Sequence, residues 1–125
     1  MQLTDLRQWV DEESPKVKQA LHDLVEINTY TANTEGVDAG MDALSKLAES
    51  FGLTVQTVNA RHRLICSGNE TAKPRILLIS HMDTVFPPDG KFLHFEELDN
   101  GFIQGPGVGD IKGGIVIGLW AMVAL

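Results

Sequence analysis

The chain is short of cysteine, of basic charge and of any long apolar run, and each shortage closes off a class of protein. Its one cysteine, Cys66, cannot build a disulfide framework. That fits a reducing compartment, so a cytoplasmic location is expected. Cys66 lies in "RLICSG", a strand-like context with no base nearby, and reads as a small buried hydrophobe rather than a nucleophile. Ten Lys and Arg stand against 17 Asp and Glu, for a net charge of −7. Nucleic-acid and anionic-membrane surfaces need clustered basic residues, so neither partner is expected. The most apolar stretch, "GGIVIGLWAMVAL" from Gly113 to Leu125, has 13 residues. A membrane span needs ~18 or more. The N-terminal "MQLTDLRQWVDEE" is charged throughout and lacks the basic-then-apolar pattern of a signal peptide. There is no internal repeat and no low-complexity tract.

The 125 residues are 43% hydrophobic and 22% charged, the balance of a soluble globular domain with a real core. Leu3, Leu6, Trp9 and Val10 recur at helical spacing and predict a short helix over 3–12. Ser14-Pro15 reads as an N-cap and first-turn proline for a second helix over 15–28, with Val17, Leu21, Leu24, Val25 and Ile27 on its core face. "NTYTANTEG" is a polar connection. A third helix fits 37–51, with Met41, Leu44, Leu47, Ala48 and Phe51 inward and Gly52 as its C′ residue.

The period then changes. "LTVQTV" and "RLICS" read as strands, "GNETAKP" as a loop, and "RILLIS" as a strand apolar on both faces, hence central and covered. "FPPDGK" is turn-rich. "FLHFEELDNGFIQG" is a hairpin turning at Asn100-Gly101. A final apolar helix begins near Gly113. Helices and strands in this order imply a layered α/β architecture. The last helix has no polar face and no stop signal, so the chain is expected to be the N-terminal piece of a larger domain.

Two stretches stand out chemically. "SHMDTVFP" places His81 and Asp83 two residues apart where the apolar strand ends. Residues i and i+2 of an extended segment share a face, and strand ends are where open α/β sheets bind ligands. Alone, a His-x-Asp is weak evidence. About thirty positions on, "GPGVGDIKGG" carries glycines at 105, 107, 109, 113 and 114 around Asp110 and Lys112. Such glycines let a backbone pass close to a ligand. Phosphate is the first rival, but the Walker pattern fails at Lys112-Gly113, and the dinucleotide fingerprint that starts at Gly105 and Gly107 meets Asp110. A carboxylate repels phosphate and is a hard ligand for a divalent metal.

Together the motifs H-x-D-x-V and G-x-G-x-x-D-x-K-G-G resemble the di-zinc exopeptidase and amidohydrolase family of carboxypeptidase G2, acetylornithine deacetylase, succinyl-diaminopimelate desuccinylase and aminoacylase. The details are most similar to its glutamate carboxypeptidase branch. The resemblance implies a three-layer zinc-exopeptidase-like fold with a mixed, largely parallel central sheet. It implies His81 as a ligand of one zinc, Asp83 as the catalytic-site residue that orients that ligand, and Asp110 as the carboxylate bridging two zincs, with Co2+ or Mn2+ as possible substitutes. Lys112, Gly113 and Gly114 match the motif's tail and are expected to support the site. The Asp110–Ile111 peptide bond is expected to be cis. The implied reaction is hydrolysis of an amide or peptide bond, in a peptide or N-acyl amino acid, by zinc-activated water.

The family's general-base glutamate, its remaining zinc ligands and its inserted lid or dimerisation domain follow the second motif and are not in this chain. The chain alone is therefore expected to be inactive, and any homodimer would form through the lid. Glu96, Glu97 and Asp99 precede the motif and read as solvated hairpin charge. His22 and His62 read as exposed, His94 as a loop residue between the motifs, and Trp120 and Met122 as core. The alternatives are a non-catalytic relative or assembly domain keeping a partial metal site, and a metal- or phosphate-binding module without hydrolysis.

Overall fold

The computed structural model describes residues 3–68, 71 and 73–125. Of the loop expected over "GNETAKP", Asn69, Glu70 and Ala72 lie outside the described residues, as does the side chain of Leu3. In chain order the elements are α1 (Leu3–Glu26), α2 (Thr34–Ser50), β1 (Thr54–Asn59), β2 (His62–Cys66), β3 (Glu96–Glu97), β4 (Ile103–Gln104) and α3 (Lys112–Ala124).

The two expected N-terminal helices are one, with Pro15 inside it. Proline removes one backbone donor and favours a break, and Ser14 does not act as an N-cap, because its hydroxyl donates back to the Val10 carbonyl at 2.7 Å. Tertiary packing overrides the local stop signal. Trp9 before the proline and Val17 and Leu21 after it pack on the same core. Next to it, Glu13 accepts a 3.0 Å bond from the Trp120 indole. A break at Pro15 would take one of these groups off the shared surface.

α2 follows its expected pattern with a slightly earlier start. Asn33 caps it by accepting from the Gly36 amide at 3.1 Å. Gly52, at φ +78°, turns the chain out after Phe51. The hairpin of β1 and β2 is antiparallel, pairing Val55 with Ile65. The second expected hairpin also forms. Glu97 pairs with Ile103, and Gly101 at φ +80° closes a turn in which its amide donates to Leu98 at 2.9 Å.

The core gathers Leu24 and Ala20 of α1, Leu44 and Ala48 of α2, Met82, and Val116, Leu119 and Trp120 of α3. Phe51 meets Trp120 edge-on, with ring centroids 5.0 Å apart. α3 has no polar stripe, as expected, and buries one side on α1 while Ile117 on the other is 66% exposed.

One expected element is overturned. Arg75–Ser80 does not form a buried central strand. It has no ladder partner among the described residues, and Ile76 and Ile79 are 76% and 84% exposed. An apolar run becomes a covered strand only if other strands lie beside it and layers lie over it. Among the described residues no strand pairs with it, Leu78 of its apolar run is placed next to Gly118 of α3, and the sheets are two antiparallel pairs.

Lys112 joins the layers. It is fully buried, and its ammonium donates to the carbonyls of Leu24 at 2.8 Å and Ile27 at 2.9 Å, at the C-terminal end of α1. Burial pushes this ammonium down to about 8. Just beside it, Glu26 ties the loop before β3 to α1. Its carboxylate accepts from the Phe95 amide at 2.8 Å and contacts the His94 ring at 3.0 Å. The Phe95 amide, then His94, holds this carboxyl below its ordinary value of 4.5. A group lowered on folding stabilises the fold above its unfolded pKa and loses that contribution as pH falls through its folded pKa. Urea unfolding should therefore find Glu26→Gln less stable than wild type at pH 6. That difference should shrink steadily as the pH is taken below 4.5.

Candidate functional site

The site is assembled from three segments. The first two run side by side. The Thr84 amide donates to the Thr29 carbonyl at 2.8 Å, the Thr31 amide donates to the Thr84 carbonyl at 3.0 Å, and Tyr30 and Thr84 form a parallel bridge. The buried Thr29 hydroxyl donates to the Met82 carbonyl at 2.8 Å, and the Asn28 amide group to the Phe86 carbonyl at 3.1 Å. Every backbone group from Met82 to Phe86 that these bonds reach is therefore held against the residues that follow α1. Met82 turns into the core, which leaves its neighbours His81 and Asp83 facing outward.

The third segment is the glycine loop before α3. Gly107 adopts φ +82°, a left-handed conformation that favours glycine, and a Cβ there would lie 2.9 Å from the Lys112 side chain. The backbone therefore lies directly on the Lys112 stem. A Cβ on Gly113 would strike the Val108 carbonyl oxygen, and one on Gly114 would sit 3.2 Å from the Ile111 side chain. The Asp110–Ile111 peptide bond is cis, as the resemblance implies.

These constraints bring His81 and Asp110 together. His81 Nε2 lies 3.3 Å from Asp110 Oδ1, and on the other side of the ring Nδ1 lies 3.2 Å from Asp83 Oδ1 and 3.1 Å from the Asp83 carbonyl. Thr31 closes the arrangement by donating its hydroxyl to Asp83 Oδ2 at 2.6 Å. That bond, followed by the charge of His81, holds the Asp83 carboxyl below the usual carboxylate range. The two aspartates differ in setting. The Asp83 side chain is 37% exposed and has partners on both oxygens, while that of Asp110 is 88% exposed. A cleft of about 270 Å³ opens over them, bordered by Thr31, Thr84 and Phe86.

The arrangement has a chemical consequence. A neutral imidazole has one N–H and one lone pair, so it can donate to only one of two flanking carboxylates. With Nδ1–H given to Asp83, the Nε2 lone pair faces the Asp110 carboxylate. A cation at that place satisfies both groups. Imidazole nitrogen and carboxylate oxygen are ordinary ligands of zinc, and a carboxylate on the far nitrogen is the usual way such a ligand is oriented. The donor set fits a metal as far as it goes. Among the described residues, no group of three or more His, Cys, Asp or Glu side chains is placed to hold a metal ion.

The other polar candidates stay outside. His94 pairs with Glu26, His22 lies edge-on to Phe95 with centroids 5.1 Å apart, and His62 contacts Asn59 at 2.8 Å. Glu96, Glu97 and Asp99 are exposed on the hairpin, with Glu97 paired to Lys18 at 3.0 Å. Trp120 is buried in the core and Met122 is half-buried. Cys66 is free and half-buried rather than fully enclosed. Thr31 is the residue that sequence reasoning passed over. It sits in a polar loop far along the chain from Asp83, and nothing in "NTYTANTEG" singles it out.

The chain is similar to carboxypeptidase G2 of Pseudomonas sp. (strain RS-16), with 33% identity over 115 residues. The similarity covers 87% of this chain and 28% of that protein, so the chain spans under a third of the length of the curated relative it matches. No family model matches the chain, and no solved structure matches it. No helix among the described residues is long and apolar enough to cross a membrane.

The close approach at Gly107 yields a direct test of how the loop is held. Gly107→Ala should destabilise the protein by about 2 kcal/mol, from the left-handed backbone and the clash with the Lys112 stem together. The measurement is the urea midpoint. Gly109→Ala, where a Cβ meets nothing within 4 Å, should have much less effect.

Proposed function

We propose that this chain is the N-terminal part of a metal-dependent hydrolase that cleaves an amide or peptide bond, of the carboxypeptidase or deacylase type, within the di-zinc exopeptidase and amidohydrolase family. The observation that carries the reading is the 3.3 Å approach of His81 Nε2 to Asp110 Oδ1, with Asp83 on the opposite ring nitrogen. The similarity to a carboxypeptidase over 87% of the chain supports it.

On this reading His81 and Asp110 would hold zinc, with Asp110 the carboxylate open enough to serve more than one ion. When bound, the metal supplies Lewis-acid polarisation of the scissile carbonyl and lowers the pKa of the attacking water. The residues of this chain do the positioning. Asp83 keeps the Nδ1 proton of His81 engaged, so that Nε2 presents its lone pair. Lys112 anchors the loop, and Gly113 and Gly114 let it pack closely enough to hold Asp110 over the ring. The cleft bordered by Thr31 and Phe86 receives part of a small peptide or N-acyl amino acid. A zinc site takes three or four protein ligands, so the remaining ligands and the general base come from a part of the whole protein beyond these residues. There, Arg75–Ser80 becomes a strand of a three-layer fold with a mixed, largely parallel sheet, which accounts for four consecutive apolar residues from Ile76 that are otherwise exposed. The whole protein is then a cytoplasmic enzyme, with a homodimer formed through a lid domain outside this chain, and these 125 residues alone are inactive.

The test is hydrolysis of N-acyl amino acids and C-terminal glutamyl peptides by the full-length protein, before and after chelation. Chelation should abolish hydrolysis and zinc should restore it. His81→Ala and Asp110→Asn should each lower kcat/KM by about 100-fold or more. Full-length protein that binds zinc but hydrolyses none of these would point instead to a non-catalytic relative with a retained partial site.

A further inference from the structure

We propose that Thr31 is a positioning residue of this site: its hydroxyl fixes one oxygen of Asp83, so that the other is held against His81 Nδ1 and Nε2 is left facing Asp110 with its lone pair. The positioning stands on the geometry, and its consequence for metal rests on the hydrolase reading above.

The geometry is a chain of contacts with little slack. Thr31 Oγ1 lies 2.6 Å from Asp83 Oδ2, Asp83 Oδ1 lies 3.2 Å from His81 Nδ1, and His81 Nε2 lies 3.3 Å from Asp110 Oδ1. The hydroxyl has one proton and two acceptors in reach, Asp83 Oδ2 at 2.6 Å and the Thr84 carbonyl at 3.2 Å. A short bond to a charged oxygen is the stronger of the two, so the proton goes to Asp83 and the Thr84 carbonyl keeps its bond from the Thr31 amide at 3.0 Å. That backbone bond and the one from Thr84 to Thr29 set the place of the hydroxyl. Thr31 therefore sits on a two-bond ladder rather than on a free loop.

Without the hydroxyl, the Asp83 carboxylate loses its Thr31 bond on Oδ2, keeps its own amide and His81, and is freer to turn toward water. Once it turns, His81 Nδ1 keeps only the Asp83 carbonyl at 3.1 Å, while Asp110 competes for the proton at Nε2. A ring that carries its proton on Nε2 cannot ligate metal there. Thr31 thus biases the tautomer that a metal site needs by acting through Asp83, from the border of the cleft. The β-branched methyl of threonine adds stiffness at χ1, but the hydroxyl is the group that acts. Serine should therefore replace it and valine should not.

The decisive measurement is the tautomer of His81 in metal-free protein, read by long-range proton–nitrogen NMR at about pH 8.5, where an ordinary imidazole is neutral. Wild type and Thr31→Ser should carry the proton predominantly on Nδ1. Thr31→Val should show a mixed or Nε2-protonated ring, and the same substitution made in an Asp83→Asn background should change nothing further. If Thr31→Val fails to fold, Thr31→Ala carries the same comparison, because the backbone bond to Thr84 does not need the side chain. A Thr31→Val or Thr31→Ala protein that keeps the wild-type tautomer overturns the proposal, since the Asp83 carbonyl would then suffice. In the full-length protein, Thr31→Val should weaken zinc binding about tenfold in competition with a chelator, with Thr31→Ser near wild type. A tautomer shift in a full-length protein that shows no metal-dependent hydrolysis supports the positioning and sinks only the hydrolase reading.

Discussion

Most of the structure depends on the burial of one ammonium group. A helix leaves its last carbonyls without intrahelical donors, and at the end of α1 the carbonyls of Leu24 and of Ile27, just past the helix, find theirs in Lys112. A buried lysine is tolerable only when its donors are used, and here a helix C-terminus also favours a cation. The consequence reaches in two directions. Lys112 opens α3, so the same contact that satisfies α1 sets Val116, Leu119 and Trp120 against Leu24 and Ala20. It also closes the glycine loop, whose backbone at Gly107 lies on the lysine stem with no room for a Cβ. Asp110, two positions earlier, has its place decided by an interaction it takes no part in.

The second support is the short parallel ladder between the residues after α1 and Met82–Phe86. It gives His81 and Asp83 a rigid base where the expected strand does not, and it carries Thr31 to the Asp83 carboxylate. The two aspartates around the ring consequently play unlike parts. Asp83 is tied on both oxygens and serves to orient, while Asp110 is open to solvent and available as a ligand. That asymmetry is what an oriented histidine ligand requires, and it is the physical basis for reading the cleft as part of a metal site.

Local features of the fold were legible in the sequence because local physics decides them. Asn100-Gly101 specifies a tight hairpin, Gly52 ends α2 at a positive φ, and the apolar run from Ile115 forms the helix α3, which buries one side. Where local and tertiary signals conflict, the sequence misleads. Ser14-Pro15 has every mark of a helix start. Yet Trp9 and Val17 pack on the core that holds Trp120, whose indole donates to Glu13, and a continuous helix carries all three to it. "RILLIS" has the composition of a covered strand, but composition cannot supply the neighbours that would cover it.

The site divides in the same way. The residue types and spacing of His81, Asp83, Asp110 and Lys112 by themselves determined which groups are on offer: an imidazole and two carboxylates in glycine-rich surroundings, a donor set that favours a cation over a phosphate. The tertiary structure decided which of them meet and how each is held. Asp110 reaches His81 because Lys112 is drawn to the end of α1, and Asp83 is fixed by a hydroxyl brought over by a backbone ladder. Neither is visible in sequence, since both arise from hydrogen bonds between residues more than fifty positions apart.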